Sequence, residues 1–166
     1  MLSFVLLLLA GLAVDDLFAA AAGHVPGGAS LLDAGCGEGS LLARLPAGVA
    51  YWGVDASAEA IEAARRLHRG RPNARFERGD LRSAHLGIGR FDAVAFLNML
   101  GEEGLDGARA LRKLRAALRP GGRLLVGGTE RGWSLEGVLA LLKHLGFGAP
   151  REVARRAPSY LIVVER

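Results

Sequence analysis

The sequence predicts a doubly wound α/β domain, with one seven-stranded, mostly parallel sheet and helices on both faces. Three observations predict it. Short apolar runs of strand length alternate with helical stretches, and each parallel connection in a sheet needs such a crossover. The first three runs end in acids, Asp33, Asp55 and Asp80, so one edge of the sheet collects carboxylates. The last two extended segments have no helix between them and must pair as an antiparallel hairpin.

The elements follow in order. An apolar helix is expected over residues 3–22, with Asp15 and Asp16 interrupting its surface. Its run over 4–14 is similar to the apolar core of a signal peptide. No basic residues precede it, it is too short to span a bilayer, and two acids follow directly, so no membrane span is expected. Pro26-Gly27-Gly28 makes a turn, and residues 29–34 are the first strand. Residues 40–45 form a short helix closed by Pro46, and 49–55 a second buried strand. Ser57 caps a helix running to His68. Residues 75–80 and 91–97 are the third and fourth strands, followed by a helix over 105–118. Pro120-Gly121-Gly122 leads into a fifth strand over 123–128, and Ser134 opens a helix whose end is marked by Gly146. The closing hairpin comprises residues 150–155 and 159–165.

Length and composition bound the function. With 166 residues the chain is expected to form one domain, with a helix or lid in 1–25 and the core in 29–166, and no separate substrate domain is expected. Loops must therefore build the active site. The net charge of +4 is carried almost wholly by arginine, Lys113 and Lys143 being the two lysines. Cys36 is the single cysteine, so no intramolecular disulfide forms and a cytoplasmic location is expected. It reads as a small turn residue, since no histidine or second cysteine lies near it in sequence. His24, His68, His85 and His144 lack metal-ligand spacing, and no metal is expected.

The chemistry-bearing stretch is Asp33-Ala34-Gly35-Cys36-Gly37-Glu38-Gly39. Alternate glycines strip the Cβ atoms from one rim of a strand-to-helix turn, so backbone N–H groups can approach a ligand. A dinucleotide fingerprint would need a third small residue where Ser40 stands. A carboxylate at Asp33 repels a pyrophosphate and attracts an ammonium, which favours an amino-acid-bearing nucleoside over NAD. Asp55 lies roughly 20 residues beyond the turn's start, where an acid reaches ribose hydroxyls. Asp80 can accept from an exocyclic amine, while Ala56 and Leu81 offer apolar contact to ring faces.

The pattern resembles the class I S-adenosylmethionine-dependent methyltransferases, Rossmann-like proteins, and among them the small methyltransferase cores of types 11 and 25. The glycine motif, Asp55, Gly79-Asp80-Leu81, Phe91-Asp92-Ala93-Val94 and the Pro120-Gly121-Gly122 entry to the fifth strand carry the resemblance. It implies strand order 3-2-1-4-5-7-6 with strand seven antiparallel, S-adenosylmethionine as cofactor and S-adenosylhomocysteine as product. It also implies direct in-line methyl transfer, which positioning alone can promote. The cofactor-binding residues it implies are Asp33, Ala34, Gly35, Gly37, Gly39, Asp55, Ala56, Asp80, Leu81 and Asn98.

Candidates for acceptor chemistry lie in the loops after strands four and five: Asn98, Glu102, Glu103, Thr129, Glu130 and Trp133. Glu102 and Glu103 also read as a solvated helix start, and Trp133 as a loop anchor. The fourth-strand loop, Leu97-Asn98-Met99-Leu100, lacks the Asn/Asp-Pro-Pro-aromatic signature of amino-methylating DNA and glutamine enzymes. A small-molecule acceptor is expected, as in quinone-biosynthesis relatives. A second reading is an RNA methyltransferase using the arginine-rich 65–82 face, and a third a non-catalytic cofactor-binding protein. The chain is expected to be a monomer or homodimer.

Overall fold

The computed structural model describes residues 17–82, 90–101, 103–130, 133–156 and 158–166. In chain order the elements are α1 (Leu17–Ala22), β1 (Ser30–Ala34), β2 (Ala50–Asp55), α2 (Ala58–Leu67), β3 (Ala74–Arg78), β4 (Phe91–Leu97), α3 (Gly107–Ala117), β5 (Leu118–Thr129), α4 (Leu135–His144), β6 (Glu152–Arg156) and β7 (Ser159–Glu165). They form one seven-stranded sheet of order β3-β2-β1-β4-β5-β7-β6. The first five strands are parallel, and β7 runs antiparallel to both β5 and β6. The expected order and hairpin are those observed.

Strands covered on both faces read as continuous apolar runs, and here the two faces carry two cores. Leu31, Tyr51, Ala93, Leu125 and Leu161 face α1 and α2, while Leu32, Val94, Leu124, Val126 and Ile162 face α3 and α4. Helix α3 buries Ala110, Leu111, Leu114 and Ala117 on one stripe, and its Asp106 cap accepts from the Arg109 N–H at 3.0 Å. Ser57 and Ser134 cap α2 and α4 in the same way. Helix α4 stops at Gly146 (φ +78°), where the Gly146 N–H donates to Lys143 O and the Phe147 N–H to Leu142 O.

The amino edge of the sheet is clasped by Asp92. The Ser30 N–H and hydroxyl both donate to its Oδ2, at 2.8 and 2.7 Å, and Arg119 pairs with Oδ1. Those hydrogen bonds, with the arginine, hold the Asp92 carboxyl down at about 2.

Four boundaries differ from expectation. Residues 40–45 make only a 3-10 turn, Leu42–Arg44, because six residues closed by Pro46 cannot complete a stable α-helix. β3 ends at Arg78, leaving Gly79 and Asp80 in the loop beyond it. Helix α3 ends at Ala117, and β5 starts at Leu118, where it pairs with Phe91. The register then shifts across Pro120-Gly121-Gly122 before Ala93 meets Arg123. Of the helix expected over 3–22 only Leu17–Ala22 is described, with Leu17 against Gly127 and Ala21 in the core; Asp15 and Asp16 lie outside the described residues.

Candidate cofactor cleft

A cleft of about 260 Å³ opens at the carboxyl ends of β1, β2 and β3, lined among others by Gly35, Asp55, Ala56, Asp80, Leu81, Met99 and Leu105. This is the edge at which open α/β sheets place ligands. A hollow of about 190 Å³, lined by Leu42, Pro46 and Arg71, lies at the opposite edge, away from the collected carboxylates.

The glycine turn works differently from the sequence expectation. Gly35, Gly37 and Gly39 all have positive φ, at +84°, +53° and +83°, which explains why each is glycine. Their N–H groups point into the protein rather than at a ligand. Gly35 and Cys36 both donate to Val54 O, Gly37 donates to Asp55 Oδ2 at 2.8 Å, and Gly39 donates to Cys36 O. The turn is therefore sewn to β2, and of its three glycines Gly35 lines the cleft. A Cβ on Gly37 would meet nothing within 4 Å, whereas one on Gly39 would stand 2.8 Å from His68 Nε2.

Asp55 is the hub of this arrangement. Besides the Gly37 N–H it accepts from the Ser57 N–H at 2.9 Å, one bond on each carboxylate oxygen. A carboxylate has about four lone-pair sites, so both oxygens keep acceptor capacity toward the cleft. Asp80, half exposed, turns its own loop by accepting from the Arg82 N–H at 2.8 Å. Lys113 Nζ donates to Leu81 O at 2.8 Å and pins that loop to α3, while Leu81 itself is buried.

Asp33 departs from expectation. Its side chain is 3% exposed, does not line the cleft, and accepts from the Tyr51 hydroxyl at 2.7 Å. Burial pushes its carboxyl up to about 7, against the lowering effect of the Tyr51 hydrogen bond, and Asp55 raises it further. The alternation of β1 is the cause: Asp33 shares a sheet face with Leu31 and Tyr51, turned into the core. Ala34 is buried on the other face. Cys36 is buried too, and desolvation raises its thiol, so it is a packed turn residue and not a nucleophile.

Asn98 has φ +58°, the left-handed region in a non-glycine residue, and its N–H donates to Gly127 O at 2.7 Å. It lies over Gly128, whose Cβ, if present, would stand 3.8 Å from Asn98 Oδ1. The next residue, Met99, is a cleft residue that the sequence reading missed. Glu130 is ion-paired with Arg155 at 3.0 Å, and the buried Tyr160 hydroxyl beyond it has no hydrogen-bond partner. Burial raises the Tyr160 phenol, and the Glu130 charge raises it further. Trp133 packs against Gly107 as an anchor, Thr129 ends β5, Glu103 is exposed, and Glu102 lies outside the described residues. Asn98, Glu130 and the cleft residues thus occupy one edge of the sheet but do not form a single cluster.

The arginine run is largely occupied within the fold. Arg65 donates to Phe76 O, Arg71 to Leu42 O and Arg78 to Ala56 O. Arg75 lies 4.5 Å over the Trp52 ring and pairs with Glu77. Arg66 faces Glu62, and Arg82 faces Asp80. Among the described residues no group of three His, Cys, Asp or Glu could hold a metal, and no helix is long and apolar enough to cross a membrane.

Strand order, glycine turn and acid-lined cleft together define a doubly wound α/β fold with a cleft at the carboxyl ends of its strands. Residues 31–122, more than half of the chain, match the family described as Methyltransferase domain. The chain belongs to this family and has the fold of the class I S-adenosylmethionine-dependent methyltransferases. The solved structure of a TehB-like SAM-dependent methyltransferase from Corynebacterium glutamicum superposes with a TM-score of 0.72 at 26% identity, over 89% of this chain and 86% of that one. The cyclase SpnF superposes with a TM-score of 0.74 at 26% identity, over 86% of this chain and 59% of that one. An uncharacterized 37.1 kDa protein in transposon TN4556 of Streptomyces fradiae is 38% identical over 104 residues, 60% of this chain. The match covers 30% of that protein, so the chain spans under a third of its length.

Proposed function

We propose that the chain methylates a small-molecule acceptor, with S-adenosylmethionine bound along the cleft over β1, β2 and β3. One observation carries the reading: Asp55 joins the glycine turn to the exit of β2 and still offers acceptor capacity at the cleft rim. The residues present fit the cofactor. Asp55 would take the ribose hydroxyls, Asp80 the adenine amine, and Ala56 and Leu81 the ring faces. Gly35 and Gly37 would allow close approach, and Asn98 would meet the methionine end. Asp33 supports this site from below, by fixing the tip of β1 to Tyr51. The bound cofactor supplies an electrophilic methyl group on a sulfonium.

The chain's own contribution is positioning. Asp55 and Asp80 hold the nucleoside at two points, and the apolar walls made by Leu81, Met99 and Leu105 keep water from its faces. Asn98 and Glu130 stand at the ends of β4 and β5, on the side left for an acceptor. Most of the 65–82 arginines are bonded within the fold, which supports a small acceptor over RNA. Because SpnF shares the fold, the fold alone does not fix the reaction, and turnover must be tested directly.

The experiment is calorimetric titration of S-adenosylhomocysteine and of free adenine into wild type and Asp55→Ala. Loss of charged hydrogen bonds to the ribose should weaken S-adenosylhomocysteine by about 1.5–3 kcal/mol and leave adenine nearly untouched. An equal loss for adenine would mean that Asp55 only braces the glycine turn.

A further inference from the structure

The nucleoside end of the cleft is open, but one side chain lies on its route to the glycine turn. A Cβ built on Gly35 would stand 2.2 Å from the Met99 sulfur, 2.6 Å from its Cγ and 2.8 Å from its Cε. Those distances are possible only because Gly35 has no Cβ. Met99 therefore lies directly on the bare Cα, at the junction between the nucleoside pocket and the turn. It lines the cleft together with Asp55, Asp80 and Leu105.

Its placement has a backbone cause. Asn98, with φ +58° and its N–H tied to Gly127 O, turns the exit of β4 sharply. β4 is the neighbour of β1, so the residue after the turn falls over the end of β1, where Gly35 follows Ala34. Asparagine tolerates this conformation better than most residues, at a cost that persists only where the surroundings enforce it. Methionine suits the position, because three rotatable bonds and a polarisable thioether let it fill an irregular gap and leave it again.

We propose that Met99 is a specificity-determining residue, which distinguishes nucleosides carrying an amino-acid extension at the 5′ position from those without one. The inference rests on the cofactor reading above and deepens it. A bare nucleoside held by Asp55 and Asp80 fits beside Met99 as it stands. A nucleoside with an extension must run it across Gly35, and Met99 has to change rotamer to clear that path. The rearrangement is charged only to the extended ligand, which lowers its affinity relative to the bare nucleoside.

The test is titration of adenosine and S-adenosylhomocysteine into wild type, Met99→Ala and Met99→Leu, followed calorimetrically. In Met99→Ala the ratio of S-adenosylhomocysteine to adenosine affinity should rise by roughly threefold to tenfold, the range set by one side-chain rearrangement. Met99→Leu restores the bulk and should return the ratio toward that of wild type. An unchanged or lower ratio in Met99→Ala would overturn the assignment, as would a joint loss of both ligands, because that pattern marks a purely structural side chain. Failure of wild type to bind either ligand would instead overturn the cofactor reading itself.

Discussion

The two edges of the sheet handle an aspartate in opposite ways. At the amino edge Asp92 receives two donors from Ser30 and an arginine, and its carboxyl is held down at about 2. At the carboxyl edge Asp33 is buried with one tyrosine hydroxyl, and its carboxyl is pushed up to about 7. The first arrangement stabilises the fold by satisfying a charge. The second burdens the fold near neutral pH, and it is not the only cost there: Asn98 has a left-handed backbone and the Tyr160 hydroxyl is buried without a partner. The left-handed Asn98 and the orphaned Tyr160 hydroxyl thus lie at the carboxyl edge, whereas Asp92 at the amino edge is fully bonded.

The contrast breaks most visibly under pH. A carboxyl whose folded value is raised keeps its proton in the folded state after the unfolded chain has lost it. Stability therefore falls as pH rises from about 4 toward 7 and stays low above that. Asp33→Asn removes the titration and can still accept from Tyr51. Its advantage over wild type should grow by up to about 1.4 kcal/mol per pH unit in that window. Urea unfolding at several pH values checks it, and parallel profiles for the two proteins would show that Asp33 is not held as described.

Asp92 should show the opposite sign with a smaller size. Its folded value is lowered, so its contribution is present above about 4 and is lost as pH falls toward 2. Ser30→Ala removes a hydroxyl that donates to Asp92 and accepts from its N–H. The half-exposed Arg119 partner is worth little by itself, so the loss should be about 1 kcal/mol at neutral pH. It should shrink on acidification. A loss that is constant with pH would detach Ser30 from the Asp92 charge.

The same contrast explains what could be read from the sequence. The place of Asp55 and Asp80 at the carboxyl edge was legible because apolar runs locate strand ends. The closing hairpin was legible because no crossover separates β6 and β7. The burial of Asp33 was not read because it depends on which sheet face the residue occupies. The signal existed: with β1 and β2 in parallel register, Leu31 faces Tyr51 and Asp33 faces Gly53, which puts the tyrosine and the acid on one face. The inward-pointing amides of the glycine turn depend on Val54 O and Asp55, partners brought by tertiary packing. Met99 carried no chemical signal, since an apolar residue in a loop gives no hint that an asparagine turn lays it on a glycine. The acceptor side is built from Asn98, Glu130 and their loops, where no period or spacing constrains the reading.

The central claim is that the carboxyl-edge cleft recognises an amino-acid-bearing adenine nucleoside without a pyrophosphate. Calorimetric titration of the wild-type protein with S-adenosylhomocysteine and, separately, with NAD tests it most directly. Saturable one-to-one heat with S-adenosylhomocysteine and none with NAD is the result expected. Binding of NAD without binding of S-adenosylhomocysteine would contradict the account.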